Sequence, residues 1–440
     1  MRRRAAFIVL AFVSLVTPLA VPLARGAAAP PASSGADRVL GEWNGALDVA
    51  SRKIRLVFHI SKRADGGLAG TMDSPDQGAN GIALDTVSVS GDTLRLDLLL
   101  GKASYRGVLA ADSPTLRGTW AQSGYSFPLD LGREAAPVRR RPQDPVKPYP
   151  YSENEVVVEN ASANLRLACT FTKPQGPGPF PAVLLITGSG PQNRNEEIMG
   201  HRPFLVLADH LTRHGLAVLR CDDRGTAQST GDFATATTAD FATDARAGFE
   251  YLLARQDVDR AHVGLIGHSE GAIIAPMLAA RDPRVAFIVM LAGPGVPGDS
   301  LIQLQRAALA RSAGKTDSAI ARTARMQAAR ATSPWSRWFA TYDPRPALQK
   351  TACPVLALFG GRDVQVPPRE NLPAVSRALH AGGNRDVSTL ELPGLNHLFQ
   401  TSTTGLPAEY GALEETFAPA ALDTITAWIE ARVKPTPRGR

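Results

Sequence analysis

The sequence contains few cysteines, and this scarcity excludes a protein built on a disulfide framework. There are three, Cys169, Cys221 and Cys353, whereas small exported folds held by disulfides need a larger and even number. Each lies in or beside a strand-like apolar run, so we interpret all three as small buried apolar side chains. A single disulfide among them is the alternative that the sequence leaves open.

Signatures of cofactor and metal sites are also lacking. We find no phosphate-binding loop, no dinucleotide-binding glycine pattern and no cysteine–histidine cluster. His210 and His214 have the i, i+4 spacing of zinc ligands on a helix, but no carboxylate or cysteine pattern accompanies them. We therefore predict a protein without cofactor or metal, in which these two histidines lie on an exposed helix face.

The excess of positive charge is small once the N-terminal segment is set aside. The formal net charge is +7, from 48 basic and 41 acidic residues. Four of the arginines fall within residues 1–28, and without them 44 basic residues stand against 41 acidic ones, an excess of +3. Such an excess gives no basic face, so we predict no nucleic-acid partner.

Long apolar runs are confined to the N-terminus. Residues 1–28 have a basic start, an apolar run over residues 5–16, and then prolines and small residues. This order is typical of a secretory signal, and the run is shorter than the ~20 residues of a membrane-spanning helix. We predict a signal peptide rather than a retained membrane anchor, and hence an exported protein, periplasmic or secreted.

Residues 38–135 predict a small all-β N-terminal domain. Apolar and polar residues alternate around Phe58 and again around Leu96, and residues 90–93 suit a two-residue hairpin turn. Trp43 and Trp120 lie in similar settings near the two ends, so we expect the first and last of about eight strands to pair and close a meander barrel or sandwich. We favour a filled barrel, acting as a scaffold or in homo-oligomer formation, over a hollow one that binds an apolar ligand.

Beyond this domain the pattern changes twice. Five prolines between residues 136 and 152 predict an extended linker. Residues 153–433 then alternate apolar strands with helices, which predicts a doubly wound α/β catalytic domain with a mostly parallel sheet. Residues 299–349 interrupt the alternation with helical sequence, and we interpret them as a lid insertion over the sheet edge, with simple packing helices as the alternative.

The most informative stretch is G-H-S-E-G at residues 267–271, which lies between an apolar strand and a helix. In this setting G-x-S-x-G is typical of a nucleophile elbow, a strained turn that exposes the serine hydroxyl. Gly267 and Gly271 allow strand and helix to approach closely. The N-terminus of the helix favours an anion formed near Ser269, which is therefore the predicted nucleophile.

A serine hydroxyl needs a base, and the base needs an orienting carboxylate. After the nucleophile we expect the acid and then the histidine, each following a strand. Asp363 follows an apolar strand in F-G-G-R-D, and His397 follows the next strand in L-P-G-L-N-H. Because parallel strands end at one edge of the sheet, we predict that Ser269, Asp363 and His397 meet there as the catalytic residues.

The oxyanion of a tetrahedral intermediate requires two hydrogen-bond donors. We predict the backbone N–H of Glu270 as one donor. The loop after the strand ending at Thr187 should supply the other, with Ser189 preferred over Gly190. The carboxyl group of Glu270 has a simpler explanation, because an acid in the first helical turn interacts well with the helix dipole.

Two other polar residues near these motifs are weaker candidates for a role in catalysis or substrate binding. His268 adjoins the serine, but its side chain should diverge from it, which makes His268 a poor candidate for the base. Arg224 either steers an acidic substrate group or, as we prefer, forms a structural salt bridge in its turn.

Several motifs in this order resemble the α/β-hydrolase superfamily. They are G-S-G-P-Q-N-R-N-E from Gly188, D-D-R-G from Asp222, G-H-S-E-G from Gly267, L-A-G-P-G from Leu291, G-G-R-D-V-Q-V-P from Gly360 and G-L-N-H-L-F-Q from Gly394. More narrowly, residues 153–433 are similar to bacterial two-domain carboxylesterases of the EstD type, related to X-Pro dipeptidyl-peptidase-like hydrolases. The resemblance implies a Ser269–His397–Asp363 esterase with no cofactor and a β-rich N-terminal domain. Ala227 stands where the family turn has a second glycine.

We therefore predict an exported serine carboxylesterase that hydrolyses short- or medium-chain acyl esters, with a small-molecule ester as its partner. A serine exopeptidase or acylaminoacyl peptidase with the same three residues is the first alternative. The N-terminal domain is too short for the propeller blades, of ~40 to 50 residues each, of some such peptidases. A third hypothesis is a binding or assembly protein in which catalysis is secondary.

Overall fold

The computed structural model describes residues 35–49, 52–75, 79–99, 102–111, 113–122, 124–134, 140–312 and 333–433. They belong to two compact units, which divide between Arg139 and Arg140. The predicted signal peptide, residues 1–28, lies outside the described residues. Within the ranges above, no helix combines the length and the apolar character needed to cross a membrane.

The first unit is an antiparallel β-structure after a short helix, α1 (Gly35–Arg38), as the period-two alternation predicts. Its described strands are β1 (Gly41–Val49), β2 (Arg52–Lys62), β3 (Leu68–Ser74), β4 (Ala79–Ala83), β5 (Thr86–Ser90), β6 (Thr93–Leu98), β7 (Ala103–Leu109), β8 (Thr115–Gln122), β9 (Tyr125–Pro128) and β10 (Leu131–Gly132). The expected hairpin turn is present, since Ser90 pairs with Thr93 across it.

The first and last strands of this sheet do pair, but they do not close it. The strand order is β4-β3-β2-β1-β10-β8-β7-β6-β5, with β9 on β8. Asn44 of β1 lies opposite Gly132 of β10, so this pairing falls in the middle of the sheet. The two edges are β4 and β5, which are consecutive in the chain. The alternation of apolar and polar residues predicts which side chains face inward. It does not predict which strands are neighbours, because pairing depends on register.

Large aromatic side chains occupy the interior of the first unit. Trp43, Phe58, Tyr105 and Trp120 are buried in one core. The ring of Phe58 lies 5.9 Å from that of Tyr105 and 6.0 Å from that of Trp120. A Cβ atom at Gly118 would lie 2.5 Å from the Tyr105 hydroxyl. This packing agrees with a filled rather than a hollow structure.

The second half of the predicted linker is bound to the second unit. The guanidinium of Arg141 donates to the carbonyl oxygens of Gly200 and Leu413, at 3.0 and 2.6 Å. The amide of Gln143 donates to the carbonyl of Phe417 at 2.6 Å. The proline-rich sequence from residue 140 onwards is therefore held by side-chain hydrogen bonds and is not a free spacer.

The second unit contains a mostly parallel sheet. Its described strands are β11 (Tyr151–Asn160), β12 (Leu165–Pro174), β13 (Phe180–Ile186), β14 (Ala217–Cys221), β15 (Val258–His268), β16 (Ile288–Leu291), β17 (Val355–Gly360) and β18 (Val387–Leu392). Their order is β11-β12-β14-β13-β15-β16-β17-β18. β12 is antiparallel to both neighbours, and the pairs from β14 to β18 are parallel.

Helices cover both faces of this sheet, as the strand–helix alternation predicts. They are α2 (Pro203–Arg213), α3 (Thr238–Ala254), α4 (Gly271–Ala279), α5 (Gly298–Ser312), α6 (Pro334–Thr341), α7 (Arg345–Lys350), α8 (Pro368–Ala381), α9 (Pro407–Tyr410) and α10 (Pro419–Val433). Leu184 of β13 packs in one core with Phe249 of α3, and the next residue, Leu185, packs in another with Ile425 of α10. Both sheet faces are therefore buried.

Helices α5, α6 and α7 fall in the region that the sequence assigns to the insertion, and residues 313–332 of that insertion lie outside the described residues. Leu301 of α5 and Phe339 of α6 are buried in the same core as α3 and α4. The described part of the insertion is thus helical and packed on the face of the sheet that carries α4.

The cysteines depart from the preferred prediction. Cys169 and Cys221 form a disulfide between β12 and β14, whose register places the two residues directly opposite each other. Cys353 is free, and burial raises the pKa of its thiol to about 12. The sequence identified both strands, but only the pairing of β12 with β14 brings the two sulfur atoms together.

Candidate active site

Ser269 occupies a strained turn between β15 and α4. Its backbone φ is +52°, a conformation that costs a non-glycine residue roughly 1–2 kcal/mol. A Cβ atom at Gly267 would lie 2.1 Å from the carbonyl oxygen of Gly271, and one at Gly271 would lie 2.0 Å from that of Ile186. Strand and helix therefore approach so closely that only glycine fits on either side of the serine.

Asp363 and His397 form a buried hydrogen-bonded pair in the loops after β17 and β18. Nδ1 of His397 lies 2.7 Å from Oδ2 of Asp363. The other carboxylate oxygen, Oδ1, accepts the backbone N–H groups of Gln365 and Val366, each at 2.8 Å. Asp363 is thus fixed by its own loop and orients the imidazole, whose Nε2 is the nitrogen that does not face the carboxylate.

Ser269 and His397 lie in the wall of one cavity, with a volume of about 630 Å³. The loops that carry them meet because β15, β17 and β18 are parallel and end at one edge of the sheet. His268, next to the serine, has its ring centroid 4.8 Å from that of His397. A serine hydroxyl and an imidazole oriented by a carboxylate thus share one cavity wall. These are the groups that nucleophilic catalysis requires.

Much of the rest of the cavity wall comes from the insertion, which contributes apolar and polar side chains in similar numbers. Leu301 and Ile302 of α5 contribute to it, as do Trp335 and Phe339 of α6, whose rings are stacked 4.9 Å apart. Cavities of this size and lining are typical of sites for small organic molecules.

The loop after β13 lies against the serine. A Cβ atom at Gly188 would be 3.3 Å from Cβ of Ser269, and Ser189 and Glu270 both belong to the cavity wall. The N–H of Gly188 already donates to Oε1 of Glu196, at 2.7 Å. An oxyanion beside Ser269 would therefore draw its donors from the N–H groups of Ser189 and Glu270, and both assignments stay predictions.

Two consecutive aspartates after β14 hold that loop in place. Asp222 accepts the backbone N–H of Arg194 at 2.8 Å and pairs with its guanidinium at 2.8 Å. Asp223 accepts Oγ1 of Thr187 at 2.7 Å and the N–H of Gln192 at 2.9 Å. Burial raises the pKa of Asp223 well above its usual value, and these two hydrogen bonds act in the opposite direction. The D-D part of D-D-R-G thus shapes the loop that carries Ser189.

The arginine of D-D-R-G forms a structural salt bridge. Arg224 is buried and donates to both oxygens of Asp244 on α3, at 2.6 and 2.9 Å. This contact supports the structural interpretation over substrate steering. Ala227, in the same turn, has a φ of +49°. Alanine therefore adopts here the left-handed conformation that glycine favours.

Sequence reasoning missed the contacts of His268. Its ring is buried, with Nδ1 2.8 Å from Oε1 of Glu196 and Nε2 3.0 Å from the carbonyl oxygen of His397. Glu196 precedes His268 by 72 residues, so no local pattern connects them. A usable signal was the position of a histidine at the end of a fully apolar strand, where a buried ring needs polar partners.

The side chain of Glu270 does more than interact with the helix dipole. Its Oε1 accepts Oγ1 of Thr238 at 2.5 Å and the indole N–H of Trp335 at 2.8 Å. Burial raises the pKa of Glu270, and these hydrogen bonds oppose the rise. The residue that follows Ser269 is therefore bonded directly to helix α6 of the insertion.

The two histidines on α2 pack ring against ring, with centroids 4.3 Å apart. His214 is exposed, but His210 is half-buried, which differs from the expected exposed face. Burial and the neighbouring His214 lower the pKa of His210. Among the residues that the structure describes, no group of three or more histidine, cysteine or acidic side chains is arranged to hold a metal ion.

Comparisons with known proteins find similarity to hydrolases. A family model described as "Serine aminopeptidase, S33" matches residues 202–344, a range that includes Ser269 but ends before Asp363 and His397. The chain is also similar to Esterase EstD of Thermotoga maritima. The two are 28% identical over 301 residues, covering 65% of this chain and 69% of that esterase.

The chain also matches solved structures at TM-scores below 0.5, an esterase among them. This esterase, from Pyrococcus furiosus, has a TM-score of 0.42 and 17% identity, and the alignment covers 59% of this chain and 91% of that one. Another match is Est1E from Butyrivibrio proteoclasticus, solved with ferulic acid bound. It has a TM-score of 0.45 and 16% identity, and the alignment covers 64% of this chain and 100% of that one.

Proposed function

Because this chain is a hydrolase of the α/β-hydrolase superfamily, we propose that it is an exported serine carboxylesterase acting on short- or medium-chain acyl esters. The observation that carries the proposal is the 2.7 Å bond between Asp363 and His397, with His397 and Ser269 in the wall of one cavity. The similarity to Esterase EstD supports an ester as the substrate.

Acylation begins at the hydroxyl of Ser269. Nδ1 of His397 is occupied by Asp363, so Nε2 takes the hydroxyl proton while Oγ attacks the ester carbonyl carbon. The resulting oxyanion is stabilised by the backbone N–H groups of Ser189 and Glu270. When the tetrahedral intermediate collapses, the carbon–oxygen bond to the alcohol breaks, and His397 returns the proton to the leaving alkoxide.

Deacylation repeats these steps with water as the nucleophile. Nε2 of His397 takes a proton from water, the hydroxide attacks the acyl carbon, and the same two N–H groups bind the second oxyanion. Collapse releases the carboxylic acid and returns the proton to Oγ of Ser269. Asp363 keeps the imidazole oriented and stabilises its positive charge through both halves of the reaction.

The cavity wall supports a short or medium acyl chain and a lid function for the insertion. Apolar side chains of α5 and α6, together with polar ones such as Gln303 and Arg306, line a volume of about 630 Å³, which is enough for a small ester and small for a long lipid. Movement of α5 and α6 away from the sheet edge would admit the substrate, and their return would exclude water from the acyl-enzyme.

Export is supported by the disulfide. Structural disulfides form and persist in oxidising compartments and are rare in the cytosol, and Cys169 and Cys221 are paired. We propose cleavage of the predicted signal peptide near residue 28. Mass measurement of the mature N-terminus, together with thiol titration before and after reduction, tests this. A mature chain that retains residues 1–28 would contradict it.

A serine exopeptidase is the second candidate, favoured by the description of the family model that matches residues 202–344. An amide substrate would use the same three side chains, with an amine as the leaving group. Comparison of p-nitrophenyl esters with aminoacyl p-nitroanilides separates the candidates. Faster cleavage of the anilides would replace the esterase assignment.

The direct test of the proposal is Ser269→Ala, assayed on p-nitrophenyl butyrate and hexanoate. We expect kcat/KM to fall by roughly 10⁴- to 10⁶-fold. Ser376→Ala is the control, because Ser376 lies on α8, outside the cavity wall. A loss below tenfold in Ser269→Ala would rule out the assignment.

A further inference from the structure

The ring of His268 is clamped between two hydrogen-bond acceptors. Nδ1 lies 2.8 Å from Oε1 of Glu196, and Nε2 lies 3.0 Å from the backbone carbonyl oxygen of His397. A carbonyl oxygen can only accept, so Nε2 must carry a hydrogen. Oε1 of Glu196 also accepts the N–H of Gly188 at 2.7 Å, which favours an ionised carboxylate and a second hydrogen on Nδ1.

This count of hydrogens makes His268 an imidazolium paired with a carboxylate. Both side chains are almost fully buried, at 8% and 4% relative exposure. Burial lowers the pKa of His268, but the charge and hydrogen bond of Glu196 and the carbonyl of His397 outweigh this and raise it. A buried ion pair contributes little net stability. We therefore look for the role of this pair in the segments that it positions.

The pair connects the three loops on which the proposed reaction depends. His268 precedes the nucleophile in β15, its Nε2 holds the loop of His397, and Glu196 holds the N–H of Gly188 in the loop of Ser189. A Cβ atom at Gly188 would be 3.4 Å from Nδ1 of His268, so the Gly188 loop passes close to the His268 ring.

We propose that Glu196 and His268 are positioning residues for the serine-hydrolase reaction, acting as a second imidazolium–carboxylate pair that sets the His397 loop and the loop of Ser189 relative to Ser269. Neither residue touches the reacting atoms. The pair aligns the base with the nucleophile through the carbonyl of His397, and aligns the oxyanion donor through the N–H of Gly188. The inference rests on the proposed function, since it assigns these residues to that same site.

The test uses Glu196→Gln in the full-length protein. Glutamine keeps Oε1 as an acceptor for Gly188 but removes the negative charge, so His268 becomes neutral and one of its two ring hydrogen bonds is lost. Loss of a hydrogen bond to a charged group is worth roughly 10- to 100-fold. We expect kcat on p-nitrophenyl butyrate to fall by about that factor, with KM changed by less than about threefold.

Nitrogen-15 NMR of histidine-labelled protein gives a readout that a loss of packing would not produce. In the wild type we expect one buried histidine to keep both ring nitrogens protonated at neutral pH and above, because the carboxylate of Glu196 raises its pKa. Its signal should be absent from His268→Gln. In Glu196→Gln the same histidine should carry one proton at neutral pH while the circular dichroism spectrum is unchanged.

Asp259→Asn is the matched control. Asp259 bonds His262 at 2.7 Å near the start of β15, a pair of the same type on the same strand but outside the cavity wall. We expect its kcat to stay within about twofold of the wild type, because nothing in the site depends on it.

The outcomes separate this inference from the proposed function. Activity retained by Ser269→Ala would overturn the proposed function. If Ser269→Ala is inactive while Glu196→Gln keeps kcat within about twofold of the wild type, the positioning role alone is overturned. A neutral His268 in the wild type at pH 7 would also overturn it. A folded Glu196→Gln with reduced kcat, little change in KM and a singly protonated His268 supports it.

Discussion

Asp363 uses its two carboxylate oxygens for different tasks, because Oδ2 binds Nδ1 of His397 while Oδ1 accepts two N–H groups of its own loop. In Asp363→Asn, Oδ1 can still accept the loop bonds, but the amide group offers a donor to Nδ1. His397 then adopts the tautomer that cannot take a proton from Ser269. We expect kcat to fall by about 10⁴-fold with the fold intact.

The control for this variant is Asp73→Asn. Asp73 lies 2.8 Å from Nε2 of His59 in the first unit, so this variant changes an aspartate–histidine pair of the same kind in the other unit. Steady-state kinetics on p-nitrophenyl butyrate compares the two. Equal and small effects in both variants would contradict the role of Asp363.

Trp335 tethers helix α6 to the residue that follows the nucleophile. Trp335→Phe keeps an aromatic ring in the cavity wall but removes the indole N–H that bonds Glu270 at 2.8 Å. A hydrogen bond to a charged group contributes about 1.5–3 kcal/mol, so we expect kcat/KM to fall by about 10-fold or more. Trp338→Phe is the control, since Trp338 stacks on Tyr342 at 4.5 Å and lies outside the cavity wall. Equal losses in both variants would show that the tether has no special role.

Burial of Glu270 should make the free energy of unfolding depend on pH. Burial raises the pKa of this carboxyl above its usual 4.5, so the folded protein holds the proton more tightly than the unfolded chain. The stabilisation of the folded state by this tighter proton binding is complete below pH 4.5 and is lost as the pH rises through the raised pKa. Glu270→Gln does not titrate, and its Oε1 can still accept the hydrogen bonds from Thr238 and Trp335. Urea unfolding from pH 4.5 to 8 should therefore show the wild type losing stability relative to Glu270→Gln.

Glu409 should change the pH dependence of stability in the opposite direction. Burial acts to raise its pKa, but hydrogen bonds from Thr404, Thr403 and Ser402 outweigh this and lower the pKa to about 2. Its contribution is present above the unfolded-state value of 4.5 and is lost as the pH falls towards 2. Glu409→Gln should therefore be less stable than the wild type at neutral pH, and the difference should shrink on acidification. If the stability difference between wild type and variant changed with pH in the same direction for both glutamates, the account of Glu270 would be contradicted.

Ala227 holds a left-handed backbone conformation without being glycine. Its φ of +49° carries a steric cost that Ala227→Gly removes, while glycine adds entropy to the unfolded chain. We expect a net gain of about 0.5–1 kcal/mol in the free energy of unfolding. The control is Ala234→Gly, at an exposed position in the following loop that has no positive φ, which should lose stability. A loss in both variants, measured by urea unfolding, would contradict the steric argument.

The sequence was sufficient to locate the strands of the second unit and the loops that carry Ser269, Asp363 and His397. These predictions rest on local patterns, because an apolar run marks a strand and a motif directly after it marks a loop at the sheet edge. The strained φ of Ser269 and the close contacts of Gly267 and Gly271 follow from the same local geometry.

Contacts between distant segments could not be predicted in this way. The disulfide of Cys169 and Cys221 depends on the register of β12 with β14. The bond of His268 to Glu196 crosses 72 residues and depends on a loop in which Glu196 itself has a φ of +51°. In the first unit, β10 has two residues, too few for an alternation to be recognised, and this strand decides the order of the sheet.

The central claim is that the hydroxyl of Ser269 is the activated nucleophile. A p-nitrophenyl alkylphosphonate tests it directly, because an activated serine displaces p-nitrophenolate and forms a stable bond to phosphorus. Trypsin releases residues 261–281 as one peptide, in which Ser269 is the sole hydroxyl-bearing residue. We expect one phosphonyl group per chain, located on that peptide, with no adduct in Ser269→Ala. Stoichiometric labelling of any other peptide, or of Ser269→Ala, would contradict the account.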